Sequence, residues 1–173
     1  MATTYTLINS NTLASTTDSV TFSSIPSTFT DLVLKISARG GDAQTYEIIN
    51  LRFNGSEVAN YSNTTLLGSG STVTSFRDVD DNSVTLRILN GNTSTANTFG
   101  SMEIYIPSYT ALIYKPVSSF GASESNATSP IYMATIAGLW RNTSTITSIF
   151  IRPNSGNGWL TGSSFYLYGI SNA

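Results

Sequence analysis

The sequence contains no cysteine and no histidine. The first absence excludes a disulfide framework, a cysteine-built zinc site and a thiolate nucleophile. The second removes the commonest general base and the commonest metal ligand. Charge is also scarce: Asp, Glu, Lys and Arg make up 10% of the chain, against about 25% in an average soluble domain. The formal net charge of -2 is scattered, with no basic stripe for phosphates and no polybasic segment for anionic lipid, so nucleic acid and membrane surfaces are not expected partners. No apolar run approaches the roughly 20 residues that span a bilayer. The opening Met1-Ala2-Thr3-Thr4-Tyr5 has neither a basic nor an apolar signal region, which leads us to expect synthesis and assembly in a cytoplasm.

What is present in place of charge is Ser, Thr and Asn, concentrated in 15–17, 69–75, 90–98 and 123–129. They give a hydrated surface of little charge. The 173 residues suit one domain, 1–173, which at this size buries roughly two thirds of the surface of its unfolded chain.

Apolar residues recur at period two, the spacing of a strand with one face in a core. Leu32, Leu34 and Ile36 alternate with Val33, Lys35 and Ser37; Ile49, Leu51 and Phe53 with Asn50, Arg52 and Asn54. Val84, Leu86 and Ile88, and then Met102, Ile104 and Ile106, repeat the device. Less regular strands are expected at 5–8, 20–23, 61–66, 116–120, 131–139, 145–151 and 163–170. Turn chemistry separates them, with Asn54-Gly55 and Asn90-Gly91 as hairpin-type dipeptides. The polar stretch 68–82 reads as a mobile loop. About ten short strands in one unit predict an all-β, two-sheet antiparallel sandwich, of jelly-roll type.

The ten acidic residues fall mostly in turns or on solvent faces, so the paired carboxylates of a glycosidase, about 5–9.5 Å apart across a cleft, are not expected. Asp78, Asp80, Asp81 and Asn82 form the one acidic cluster; without the glycine and terminal glutamate of a calcium loop it reads as solvated. Asn-x-Ser/Thr triplets are chance in a chain of this composition. The expectation is a non-catalytic protein with no metal and no cofactor. Two segments suit a binding surface. Tyr109, Leu112, Ile113 and Tyr114 lie just past a strand end, where they either meet a partner chain or pack over the open end of the core. Trp159 and Leu160 follow a Gly/Asn-rich turn, where the indole either caps the core or anchors a protein or sugar. Trp140 reads as core.

Several phrases carry a resemblance: Tyr5-Thr6-Leu7-Ile8, Ser19 to Pro26 followed by Phe29 to Leu34, Arg52-Phe53-Asn54-Gly55 with Asn60-Tyr61-Ser62, and Ala96-Asn97-Thr98-Phe99-Gly100. Further on come Ile104-Tyr105-Ile106-Pro107, Lys115 to Ser119, Ala137-Gly138-Leu139-Trp140 and the run from Gly162 to Ile170. In these, almost end to end, the chain resembles small virion proteins of tailed bacteriophages. The resemblance implies a sandwich similar to capsid decoration (cement) proteins and tail-fibre modules, with no catalytic or metal residue to carry over. It leads us to expect a decoration protein on the outer phage head, a homotrimer in contact with itself and the major capsid protein. The alternative is a tail-fibre or baseplate domain that binds host-surface glycan or another receptor.

Overall fold

The computed structural model describes residues 4–126 and 132–171; Met1 to Thr3, Ile131 at the head of one expected strand, and 127–129 of the last polar stretch lie outside these. The described residues form twelve strands and contain no helix. In chain order these are β1 (Tyr5–Thr12), β2 (Val20–Phe22), β3 (Asp31–Ala38), β4 (Tyr46–Phe53), β5 (Tyr61–Ser69) and β6 (Thr72–Asp81). Then follow β7 (Val84–Asn90), β8 (Gly100–Ile106), β9 (Lys115–Ser123), β10 (Tyr132–Trp140), β11 (Ile149–Pro153) and β12 (Ser164–Ile170).

They form two antiparallel sheets, one of eight strands ordered β1-β12-β3-β8-β9-β10-β5-β6 and one of four ordered β2-β11-β4-β7. The pairs β1–β12, β2–β11, β3–β8 and β4–β7 are nested, each later pair lying inside the one before it in sequence. The strands β5, β6, β9 and β10 interrupt this nest and lengthen one side of the large sheet. Between the sheets the inward residues make one core, with Leu34, Ile104, Leu51 and Ile151 wholly buried. Each such side chain contributes roughly 1.5–3 kcal/mol by leaving water. Trp140, as expected, is core: it packs 5.5 Å from Phe53 and stacks 6.1 Å from Tyr61, whose hydroxyl accepts the Phe53 amide at 3.0 Å.

The small sheet's edge strand β7 passes close over the inner face of the large one. A Cβ at Gly100 would sit 2.8 Å from the Leu89 Cα, and one at Gly121 would sit 3.0 Å from the Ile88 carbonyl oxygen. Hydrogen at these positions therefore sets the depth at which the two layers meet.

Three expectations need correction. The stretch 68–82 is not a mobile loop: it holds β6, which pairs with β5 through a turn at Gly70. That adds the strand the sequence reading lacked. Asn54-Gly55 has the left-handed backbone of its turn type, φ 52° and 66°, but it leads β4 out of the small sheet rather than into a paired neighbour. Asn90-Gly91 is not a left-handed turn; Gly91 is required because a Cβ there would lie 2.3 Å from the Gln44 carbonyl oxygen.

The two end strands of the large sheet extend beyond the cover of the small one. Nearly every residue of β1 and β6 is exposed, on both faces. Unpaired strand edges invite foreign strands, and each is blunted differently. The β6 edge carries Arg77, Asp78, Asp80 and Asp81. The β1 strand has no charge, but a bulge lies between Leu7 and Asn9, and the Asn9 side chain caps the Ser10 amide at 2.8 Å.

Candidate functional site

The segment 107–114 joins β8 to β9 at one end of the sandwich, and its backbone is tied down at Ser108, Tyr109, Thr110, Ala111 and Ile113. The Asp31 carboxylate accepts the Ser108 amide at 2.8 Å and the Tyr105 hydroxyl at 2.9 Å. The Ala111 amide closes a turn onto the Ser108 carbonyl at 3.0 Å, with Ser108 in a left-handed conformation, φ 49°. The neighbouring segment 141–148 grips the loop through Ile146 N to the Tyr109 carbonyl, 3.1 Å, and the Thr145 hydroxyl to the Thr110 carbonyl, 3.3 Å.

The anchor is Lys115. Its side chain is fully buried at the start of β9, and its ammonium donates to the carbonyls of Ala111 (2.6 Å), Ile113 (2.7 Å) and Thr143 (3.1 Å). Among the described residues no carboxylate pairs with it. Burial pushes the amine's pKa down, while the three carbonyl dipoles favour the charged form.

Of the four residues singled out in this segment, the structure separates one from three. Tyr109 is buried, its ring in the core and its hydroxyl donating to the Pro26 carbonyl, so it is not a free contact residue. Leu112, Ile113 and Tyr114 are 84%, 50% and 54% exposed. They stand on a backbone that the buried lysine and Tyr109 hold in place, and this is the apolar tip the sequence pointed to. Lys115 itself was missed, because a lone lysine between apolar residues ordinarily snorkels to water.

Trp159 and Leu160 lie at the other end and make no common site with the tip. Trp159 is no exposed anchor: it is fully buried, 5.2 Å from Phe165 in an edge contact, and its main chain pairs with Thr17. Leu160 is half-buried and lines an open depression of about 280 Å³ with Phe99 and Arg39. The Arg39 guanidinium is spent on the carbonyls of Asn92, Ser94, Thr95 and Thr98, at 2.7–3.3 Å, and so holds the segment 91–99.

Beside it, Glu47 is buried, and that burial raises its pKa, partly offset by bonds from the Ser155 hydroxyl at 3.0 Å and the Asp42 amide at 3.2 Å. A folded-state pKa above the unfolded one means the folded chain keeps this proton longer. The stability it contributes is present at acid pH and lost as pH rises through the folded value. Urea unfolding followed from acid to neutral pH is expected to show that decline, and Glu47→Gln to flatten it. An equal slope in both proteins would assign the decline elsewhere.

The acidic cluster is engaged within the fold. Asp78 accepts from Asn63 at 2.9 Å, Asp80 pairs with Arg141, and Asp81 accepts the Asn82 amide at 2.7 Å. Among the described residues no group of three or more acidic side chains is placed to hold a metal.

A surface the sequence reading treated only as the watered side of the strands lies on the outer face of the large sheet. One ladder row runs Tyr166–Lys35–Glu103–Phe120–Thr135–Leu66 across six strands. Phe120 and Met133 are 51% and 53% exposed there, and Lys35 and Glu103 pair at 3.1 Å. The signal was in the sequence, since both apolar side chains fall at outward positions of their strands. Comparison with protein-family models, with curated proteins and with solved structures gave no match.

Proposed function

We propose that this chain is a non-catalytic structural component of a bacteriophage virion, a capsid decoration protein that docks on the outer head through the tip of 107–114. The observation that carries the reading is the exposed trio Leu112, Ile113 and Tyr114, on a loop that the buried Lys115 ammonium ties through the carbonyls of Ala111, Ile113 and Thr143. Holding large apolar groups in water on an ordered backbone costs the free protein. It favours binding, because the ordering entropy is already spent before the partner arrives. The nested strand pairs also have the order of a jelly roll with β5, β6, β9 and β10 inserted, and we read the fold so. A capsid offers many equivalent positions, where one modest apolar patch per subunit suffices and a homotrimer on a symmetry axis multiplies it.

The test uses particles of the encoding phage grown without this protein. Purified chain added back is expected to rebind the head saturably, in hundreds of copies per particle. Leu112→Asp, at a side chain 84% exposed and therefore expected to leave the fold intact, should weaken rebinding by about ten-fold. A handful of copies at the tail tip would replace the decoration reading with the fibre or baseplate one, and no rebinding at all would end both.

A further inference from the structure

The outer face of the large sheet holds an open trough of about 480 Å³, toward the end away from the tip. Its floor includes Ser37 and Ser101, directly opposite each other on β3 and β8. One wall is the row Tyr166–Lys35–Glu103–Phe120, spread over four adjacent strands. Three strand spacings of about 4.8 Å put the two rings roughly 14 Å apart. Lys35 and Glu103 stand between them, paired at 3.1 Å and about half exposed. Phe120 and Glu103 form a ridge, since they also border a second depression of about 190 Å³ on the far side of the row.

We propose that this trough binds a neutral oligosaccharide of about three sugar units, with Phe120 and Tyr166 stacking on sugar faces and Lys35, Glu103, Ser37 and Ser101 exchanging hydrogen bonds with its hydroxyls. The inference stands apart from the virion reading and uses none of the tip residues.

The chemistry selects this class over its rivals. The trough crosses the strands in mid-sheet, where each strand has a hydrogen-bonded neighbour on both sides, so a peptide cannot be recognised through its main chain. Recognition falls to side chains. The one cation is matched by the one carboxylate, which gives no net charge to attract a phosphodiester or a sulfated polymer. Pyranose rings present an apolar C–H face and a rim of hydroxyls, and the row offers aromatic surface at both ends with paired donors and acceptors between. The volume falls within the range of small-ligand sites, about 300–1,000 Å³.

An array of immobilised neutral and acidic glycans tests the assignment, followed by calorimetric titration of the best neutral hit. Retention of neutral glycans of three or more units is expected, with Phe120→Ala and Tyr166→Ala each weakening binding at least ten-fold. Phe120→Trp should keep or strengthen it, and Leu112→Asp should leave it unchanged. Amide shift changes in the unmutated protein at Lys35, Ser101, Glu103 and Phe120 provide a reading independent of how any variant folds. Binding to acidic glycans alone, no glycan binding, or shift changes confined to other surfaces would overturn the proposal.

Discussion

Trp159→Ala is expected to lower the unfolding free energy by about 3–5 kcal/mol, the cost of emptying a large buried site. In a domain of this length that corresponds to a fall in midpoint on the order of 10 °C. The indole is fully buried against Phe165, and its flanking main chain bonds Thr17 in both directions, Trp159 N to Thr17 O at 2.7 Å and Thr17 N to Trp159 O at 3.1 Å. Its ring nitrogen reaches the Ile151 carbonyl at 3.4 Å. The residue therefore joins three segments, 13–19, β11 and 154–163, and a cavity there loosens them together. Trp159→Phe, which retains one aromatic ring and gives up the rest of the indole with its long hydrogen bond, leaves a smaller cavity and should cost less. Thermal melts of the two variants decide the matter: an alanine variant that melts with the wild type would return Trp159 to the surface and restore it as a ligand anchor.

The second large effect belongs to Lys115. Replacement by methionine keeps much of the volume and removes the ammonium, which leaves the carbonyls of Ala111, Ile113 and Thr143 without their donor. Charge-assisted bonds of this kind contribute about 1.5–3 kcal/mol each when broken singly. Part of that loss is offset because a buried unpaired cation is itself costly. A net destabilisation of about 2–4 kcal/mol is expected, concentrated in one place. Hydrogen exchange should accelerate at the amides of 110–114 while those in the middle of β9 and β10 stay protected. Uniform acceleration, or none, would show that the lysine does not organise the tip. The same variant should lower rebinding to particles with Leu112, Ile113 and Tyr114 all intact, because what is lost is their ordered support.

The layers were legible where one face of a strand meets the core and the other meets water. In β8 burial follows the alternation read from Ile104 along the whole strand, and in β3 it does so from Leu34 onward, whereas Val33, read as facing water, is buried; all four of the most regular strands lie where the pattern put them. The strand β6 was illegible for the converse reason. Both its faces are wet, so Val73, Phe76 and Val79 mark no buried side, and only pairing with β5 defines it. The tip was legible in Leu112, Ile113 and Tyr114, since three bulky apolar residues after a strand end have few places to go. Tyr109 and Trp159 were not separable from them by local sequence. Their burial depends on Pro26, Thr17 and Ile151, all distant along the chain. The trough on the outer face depends on the order β12-β3-β8-β9, which brings Tyr166 and Phe120 into one row across four strands. Spacing within a single strand carries no information about that order.

The nested pairing sets the order of events during biosynthesis. The outermost pair joins the first strand to the last, so the large sheet acquires its β1 edge only when Ser164–Ile170 has left the ribosome. Contacts this remote in sequence are slow to form, whereas β5 with β6, and β9 with β10, meet early as neighbours along the chain. A nascent chain thus carries finished ribbons with uncovered greasy sides for the whole time its partner layer is incomplete. The neutral hydroxyl coat, which shields without the repulsion of charge, leaves that interval as the one in which the protein most needs protection from its own copies.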